Sequence, residues 1–151
     1  MKILCQLNEL GLSCFGCCGN NYSNKKKLMR DIKKNTIQFK NAESLSSFMS
    51  RTKELKSSGI CANLVVKEGN FTCPGHPALN HGRDYRNLDP DCEKEFVCKT
   101  YGLFQTWDNI KQRKFLDFLK SKKFDNFSYS IRMDNDSILK DFEKENSGEK
   151  I

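Results

Sequence analysis

Residues 12–21 read LSCFGCCGNN, which sets Cys14, Cys17 and Cys18 within five positions, just ahead of a Lys-rich stretch without cysteine. Thiols gathered this way are buried as small hydrophobes, oxidised, or given to a metal, and each choice constrains the fold differently. Cys14 and Cys17 form a Cys-x-x-Cys step, from which two sulfurs can converge on one ion. Gly16 inside it allows the backbone N–H groups to turn toward the thiolates. Neighbouring side chains diverge, so Cys18 points to a second ion, a bridged cluster or plain burial. A disulfide between Cys17 and Cys18 is disfavoured, because adjacent residues do not easily reach the torsions it requires.

The choice among these fates depends on the compartment. The start, MKILCQLNELGL, meets Gln6, Asn8 and Glu9 before an apolar run of about 7 residues can form, so it does not read as a signal peptide. No stretch approaches the roughly 18 apolar residues of a membrane span. A cytoplasmic protein without a membrane partner is therefore expected, and there thiols stay reduced and clustered cysteines more often bind metal. With 151 residues, the chain is the size of one domain, expected over residues 1–145 with a frayed tail at 146–151.

The net charge of +7 is unevenly spread: residues 1–60 carry 11 Lys or Arg against 4 acids, and residues 101–127 carry 6 against 3. The Cys-rich middle is nearly neutral. Lys25–Lys27, Lys33, Lys34 and the KSKK run at 120–123 offer a nucleic-acid contact or a solvated helix face. An aromatic recognition motif is missing. So are a Ser-His-Asp order, a phosphate loop and an HExxH motif, and with two histidines the expectation is a protein that is not an enzyme.

The patterning predicts an α+β fold: a small, mostly helical domain with a short β-hairpin and an irregular, metal-organised middle. Ser23 caps a helix to about residue 39, with Leu28, Ile32 and Phe39 for packing. Asn41 caps a second helix carrying Leu45, Phe48, Met49 and Leu55, stopped by Gly59. Runs at 60–66 and 71–73 flank Gly69 and Asn70 as a hairpin, with Cys61 on its first strand and Cys73 ending its second. All three prolines fall in the loop that follows. Residues 107–123 form a helix with Trp107, Ile110, Phe115, Phe118 and Leu119 on one side, and NFSYSIRM at 126–133 alternates as a strand.

A closed zinc site requires four ligands, so the N-terminal trio needs partners among Cys5, Cys61, Cys73, Cys92 and Cys98, with His76 and His81 in reserve. Asp84, Tyr85, Arg86, Asp89 and Asp91 share the loop of the histidines, as supporting partners or as turn formers. The order SCFGCC, CANL, CPGHP and LDPDC over residues 14 to about 98 resembles the YkgJ-type cysteine-cluster family of zinc- or iron-chelating domains. That resemblance implicates Cys14, Cys17 and Cys18, Cys61 beside Leu64, Cys73 before Pro77, and Cys92 after Pro90. The chain departs from the family in reading Cys-Phe-Gly-Cys-Cys and in the 14 residues between Pro77 and Cys92, and the resemblance leaves Cys5, Cys98 and His76 open. The expected function is chelation of zinc or iron, an iron–sulfur cluster included, by up to eight thiolates. The alternatives are a zinc-stabilised nucleic-acid-binding domain and an iron–sulfur redox protein. Divergence at Cys17 and Cys18 further predicts more than one metal atom per chain, against a single ion with spare thiols.

Overall fold

A computed structural model describes residues 4–15, 24–53, 58–92 and 97–148. The fold is α+β, with six α-helices and two short antiparallel hairpins among the described residues. One domain over 1–145 is expected, and the chain groups into two compact units: Met1–Cys17 with Val97–Ile151, and Cys18–Phe96.

In the first unit, β1 (Gln6–Leu7) and β2 (Leu12–Ser13) pair with Gln6 opposite Ser13 and Leu7 opposite Leu12. Gly11 completes the connection at φ 66°, a conformation that favours glycine. The rest of the unit is helical: α3 (Lys99–Thr106), α4 (Asn109–Lys122), α5 (Asn126–Asp134) and α6 (Ser137–Gly148). Asp108 and Asp125 cap α4 and α5, accepting from Lys111 N at 2.8 Å and Ser128 N at 2.7 Å, the usual way of satisfying free N-terminal amides. Phe115 lies at the centre of the core, its ring 5.9 Å from Phe104, 5.6 Å from Trp107 and 5.1 Å from Phe142. Ile110, expected on the packed side of α4, is 72 % exposed.

The strand expected at 126–133 is the helix α5. Tyr129 and Met133, both buried, satisfy a period of two and a helical i, i+4 step equally well. The Asp125 cap decides between them. So does the hairpin, which docks on one face of α5: Ser13 N donates to Asn126 Oδ1 at 2.8 Å, Phe15 N to Ser130 Oγ at 3.0 Å, and the Tyr129 hydroxyl to Leu4 O at 2.7 Å. The tail expected to fray from 146 continues α6 as far as Gly148.

In the second unit, α1 (Lys25–Asn41) is capped by Asn24 and buries Leu28, Asp31, Ile32 and Asn35 on one stripe. Two of these are polar and have inward partners: Asp31 accepts from Ser58 N and Oγ at 3.2 and 2.6 Å. The next helix, α2 (Leu45–Ser50), is capped by Ser44 and is shorter than expected, while Asn41 ends α1. Leu55 falls outside the described residues. β3 (Val65–Lys67) and β4 (Asn70–Thr72) turn through Glu68 and Gly69 at φ 54° and 80°, the two positive values of a tight hairpin turn. Thr36 Oγ1 accepts from Val66 N at 3.0 Å, which seats α1 beside β3. Phe48, Met49 and Val65 form a core against which Phe39, Cys73 and Tyr85 pack.

Gly75 lies close against that core. A Cβ there would sit 2.6 Å from Met49 Cε and 2.9 Å from Sδ, and Met49 is fully buried. Gly75→Ala is expected to destabilise the protein by about 1–3 kcal/mol through overpacking, measurable as a lower urea midpoint with an unchanged slope.

Candidate metal centre

Three thiols of the second unit arrive from three segments. Cys61, expected on a strand over 60–66, instead opens the turn that precedes β3, four residues before that strand begins at Val65. Its carbonyl accepts from Leu64 N at 3.2 Å and its sulfur from Asn63 N at 3.5 Å. Asn35, reaching from α1, donates to the carbonyls of Cys61 and Leu64 at 3.0 Å each, fixing that turn. Cys73 follows β4 directly, and its carbonyl accepts from His76 N at 3.1 Å. Cys92 closes the loop, donating its N–H to Asp89 O at 3.2 Å.

A polar network ties the Cys61 turn to the Cys92 loop. Asp89 is buried; its Oδ2 accepts from Asn63 Nδ2 at 2.6 Å and faces Lys53 Nζ at 3.6 Å, while Oδ1 accepts from Asp91 N at 3.0 Å. Arg51 donates to Asn63 Oδ1 at 3.0 Å, to Ala62 O at 2.6 Å and to Phe48 O at 2.7 Å. Asn63→Ala would leave Asp89 and Arg51 short of a partner, at about 1–3 kcal/mol. The expected results are a lower melting temperature and weaker retention of metal during dialysis.

All three thiols are held above the ordinary thiol range, in each case first by burial. Burial pushes the Cys73 thiol up to about 12, and the charges of Cys61 and Cys92 add to that while Arg86 opposes it. Burial also raises Cys61, against the pull of the Asn63 N–H and Lys53, and raises Cys92, where Cys61 is the next contributor. At neutral pH these thiols are protonated unless a cation replaces the protons, which is how a metal deprotonates its thiol ligands.

The described residues of the first unit hold three further cysteines. Cys5 and Cys14 face each other one step beyond the β1–β2 pairing, with Cys14 N donating to Cys5 O at 3.1 Å. Cys98 caps α3 and accepts from Tyr101 N at 3.4 Å. All six of these cysteines are half-buried and free of disulfides. Cys17 and Cys18 lie outside the described residues. Among the described residues, no three His, Cys, Asp or Glu side chains stand in a geometry that would hold a metal ion.

His76 Nδ1 accepts from Ala78 N at 3.0 Å and caps the short 3-10 turn Pro77–Leu79. Burial, then the nearby Arg86, lowers its pKa, which keeps the ring neutral. His81 is exposed, with φ 53°. Arg86 forks onto Asp84 at 2.8 and 2.9 Å. Lys25, Lys26, Lys33 and Lys34 are exposed on α1, Lys27 is half-buried, and Lys122 pairs with Glu145. No helix among the described residues is long and apolar enough to cross a membrane.

Comparison with protein-family models, curated proteins and solved structures finds no match to this chain. Sequence reasoning missed Asn35, Arg51 and Asn63 as supports of the thiol loops. For Asn35 a signal existed: it falls on the stripe of Leu28 and Ile32, where an amide is placed only if it has a buried partner.

Proposed function

We propose that the protein chelates a thiophilic metal, zinc or iron, with Cys61, Cys73 and Cys92 as the principal ligands of the second unit. The observation that supports this most strongly is the buried Asn63–Asp89 hydrogen bond, which ties the Cys61 turn to the Cys92 loop, with Cys73 at the end of the intervening hairpin. Sulfur donors suit zinc and iron–sulfur chemistry. The supports are of the kind that orient ligands in metal sites: an amide holding the Cys61 turn and an Asn63–Asp89 link between two ligand loops. The resemblance of the cysteine order in residues 14 to about 98 to that of the YkgJ-type family is in keeping with the same reading. The Lys clusters are solvent-facing helix residues, and no observation favours a nucleic-acid partner over that role.

Anaerobic purification with metal quantification and an absorption spectrum tests the proposal. Zinc or iron bound in stoichiometric amount and lost in Cys73→Ser is the expected result; metal-free protein after reconstitution with both ions contradicts it. Metal-free protein also carries a pH signature. The pKa of Cys73 is raised in the folded state to about 12, from roughly 8.5 when unfolded. Its contribution to stability is therefore complete below about pH 8.5 and is lost as pH rises toward 12. Chemical denaturation from pH 8 to 11 should show this loss in the metal-free protein and a shallower one in metal-free Cys73→Ser.

A further inference from the structure

We propose that Cys5 and Cys14 form a thiol–disulfide exchange site, which a low-molecular-weight disulfide such as oxidised glutathione closes into a reversible cross-strand disulfide. The site goes beyond the reading above, since it uses none of the ligands Cys61, Cys73 and Cys92. The hairpin pairs Gln6 with Ser13 and Leu7 with Leu12, and one step on, the 3.1 Å bond from Cys14 N to Cys5 O makes the two cysteines direct cross-strand neighbours at a hydrogen-bonded position. Such neighbours project to the same face, with Cα atoms about 5.5 Å apart, inside the roughly 4.4–6.8 Å span of disulfides. Their Cβ atoms stand about 4.5–5.5 Å apart, against about 3.5–4.5 Å in a disulfide. Closure therefore draws the strand ends together, and a bond made under that tension is readily reduced again.

The fold holds the pair in register. Cys14 lies between Ser13, whose N–H donates to Asn126 Oδ1 at 2.8 Å, and Phe15, whose N–H donates to Ser130 Oγ at 3.0 Å. On the other side of the hairpin, the residue before Cys5 is Leu4, whose carbonyl accepts from the Tyr129 hydroxyl at 2.7 Å. Helix α5 thus grips the chain beside both cysteines, and a slip of the register by one residue would break these bonds. Leu4, Ser13 and Phe15 are fully buried, whereas Cys5 and Cys14 are half-buried, so a small disulfide can reach them. The exchange balances in two steps. One cysteine, as its thiolate, attacks a sulfur of oxidised glutathione, forming a mixed disulfide and releasing one glutathione. The other thiolate then attacks the protein sulfur of that mixed disulfide and expels the second glutathione, so that the protein loses two electrons and two protons and the oxidant gains them.

The test uses full-length protein, reduced and then held in glutathione buffers of increasing oxidised fraction. Cleavage after Glu9 and after Phe15 places Cys5, Cys14 and Cys17 on separate peptides, so mass spectrometry reads which sulfurs are joined. In the folded protein a Cys5–Cys14 link is expected, with loss of iodoacetamide labelling at both cysteines together, and dithiothreitol should reverse both changes. In Cys14→Ser the link is lost, and Cys5 is expected to remain as a mixed disulfide with glutathione. Because a variant can fail to fold, unsubstituted protein in urea provides a second readout. Without strand register, loop-closure entropy favours the nearer Cys14–Cys17 pair by about fivefold, so there the Cys5–Cys14 link should fall below it. A folded protein that joins Cys14 to Cys17 instead, that carries only separate glutathione adducts, or that links Cys5 to Cys14 no better than in urea overturns the site and leaves the reading of the second unit standing.

Discussion

Chelating the metal-loaded protein is expected to raise amide hydrogen exchange across residues 58–92 far more than across 109–134. In small structural sites zinc supplies roughly 10–16 kcal/mol of apparent binding energy at neutral pH, more than the whole stability of most domains, about 5–15 kcal/mol. The segment from Ser58 to Cys92 has two three-residue strands, short 3-10 turns and loops. Its polar links, Asn63 to Asp89 and Asn35 to Cys61, position thiols rather than fill a core. The helices α4 and α5 instead pack around a dense aromatic cluster. Protection unchanged over 58–92 after complete removal of metal would mean that Cys61, Cys73 and Cys92 act as ordinary core residues.

Phe115→Ala carries the second large effect and leaves the second unit out of it. The ring is fully buried and meets Phe104, Trp107, Phe118 and Phe142. Deleting it removes a large buried surface and opens a cavity, for about 3–5 kcal/mol. Ile110→Ala, on the same helix but 72 % exposed, should change stability by about 0.5 kcal/mol or less. Urea unfolding followed by Trp107 fluorescence reports on both. An equal cost for the two would mean that α4 packs through a different face.

Local signals in the sequence carried a good part of this architecture. The stripe of Leu28 and Ile32, the Gly69 turn and the apolar face of α4 rest on contacts between near neighbours, which periodicity records. The short β1–β2 hairpin left no such trace, because two-residue strands are too short to show alternation. α5 read as a strand because Tyr129 and Met133 fit either period. Among the site residues, the cysteines themselves were evident by type. Their placement was not: Cys14 is set beside Cys5 by strand register, and Cys98 serves as the cap of a helix 84 residues later. Spacing along the chain does not encode such long-range closure. The polar supports Asn35, Asn63 and Arg51 were equally hidden, since a buried amide and a surface one look alike in a sequence.

The first unit is discontinuous, with the whole of Cys18–Phe96 inserted between its two parts, and this imposes an order on the nascent chain. The inserted segment can complete its own contacts as soon as residue 96 has been made. The β1–β2 hairpin cannot, for its partners Asn126, Tyr129 and Ser130 lie more than 110 residues downstream. Synthesising the 79 residues from Cys18 to Phe96 takes roughly 4–16 s at about 5–20 residues per second. An isolated hairpin is marginal at best in water. Throughout that interval the hairpin carrying Cys5 and Cys14 lacks the helix that holds it, so the inserted unit completes its contacts first and the discontinuous one last.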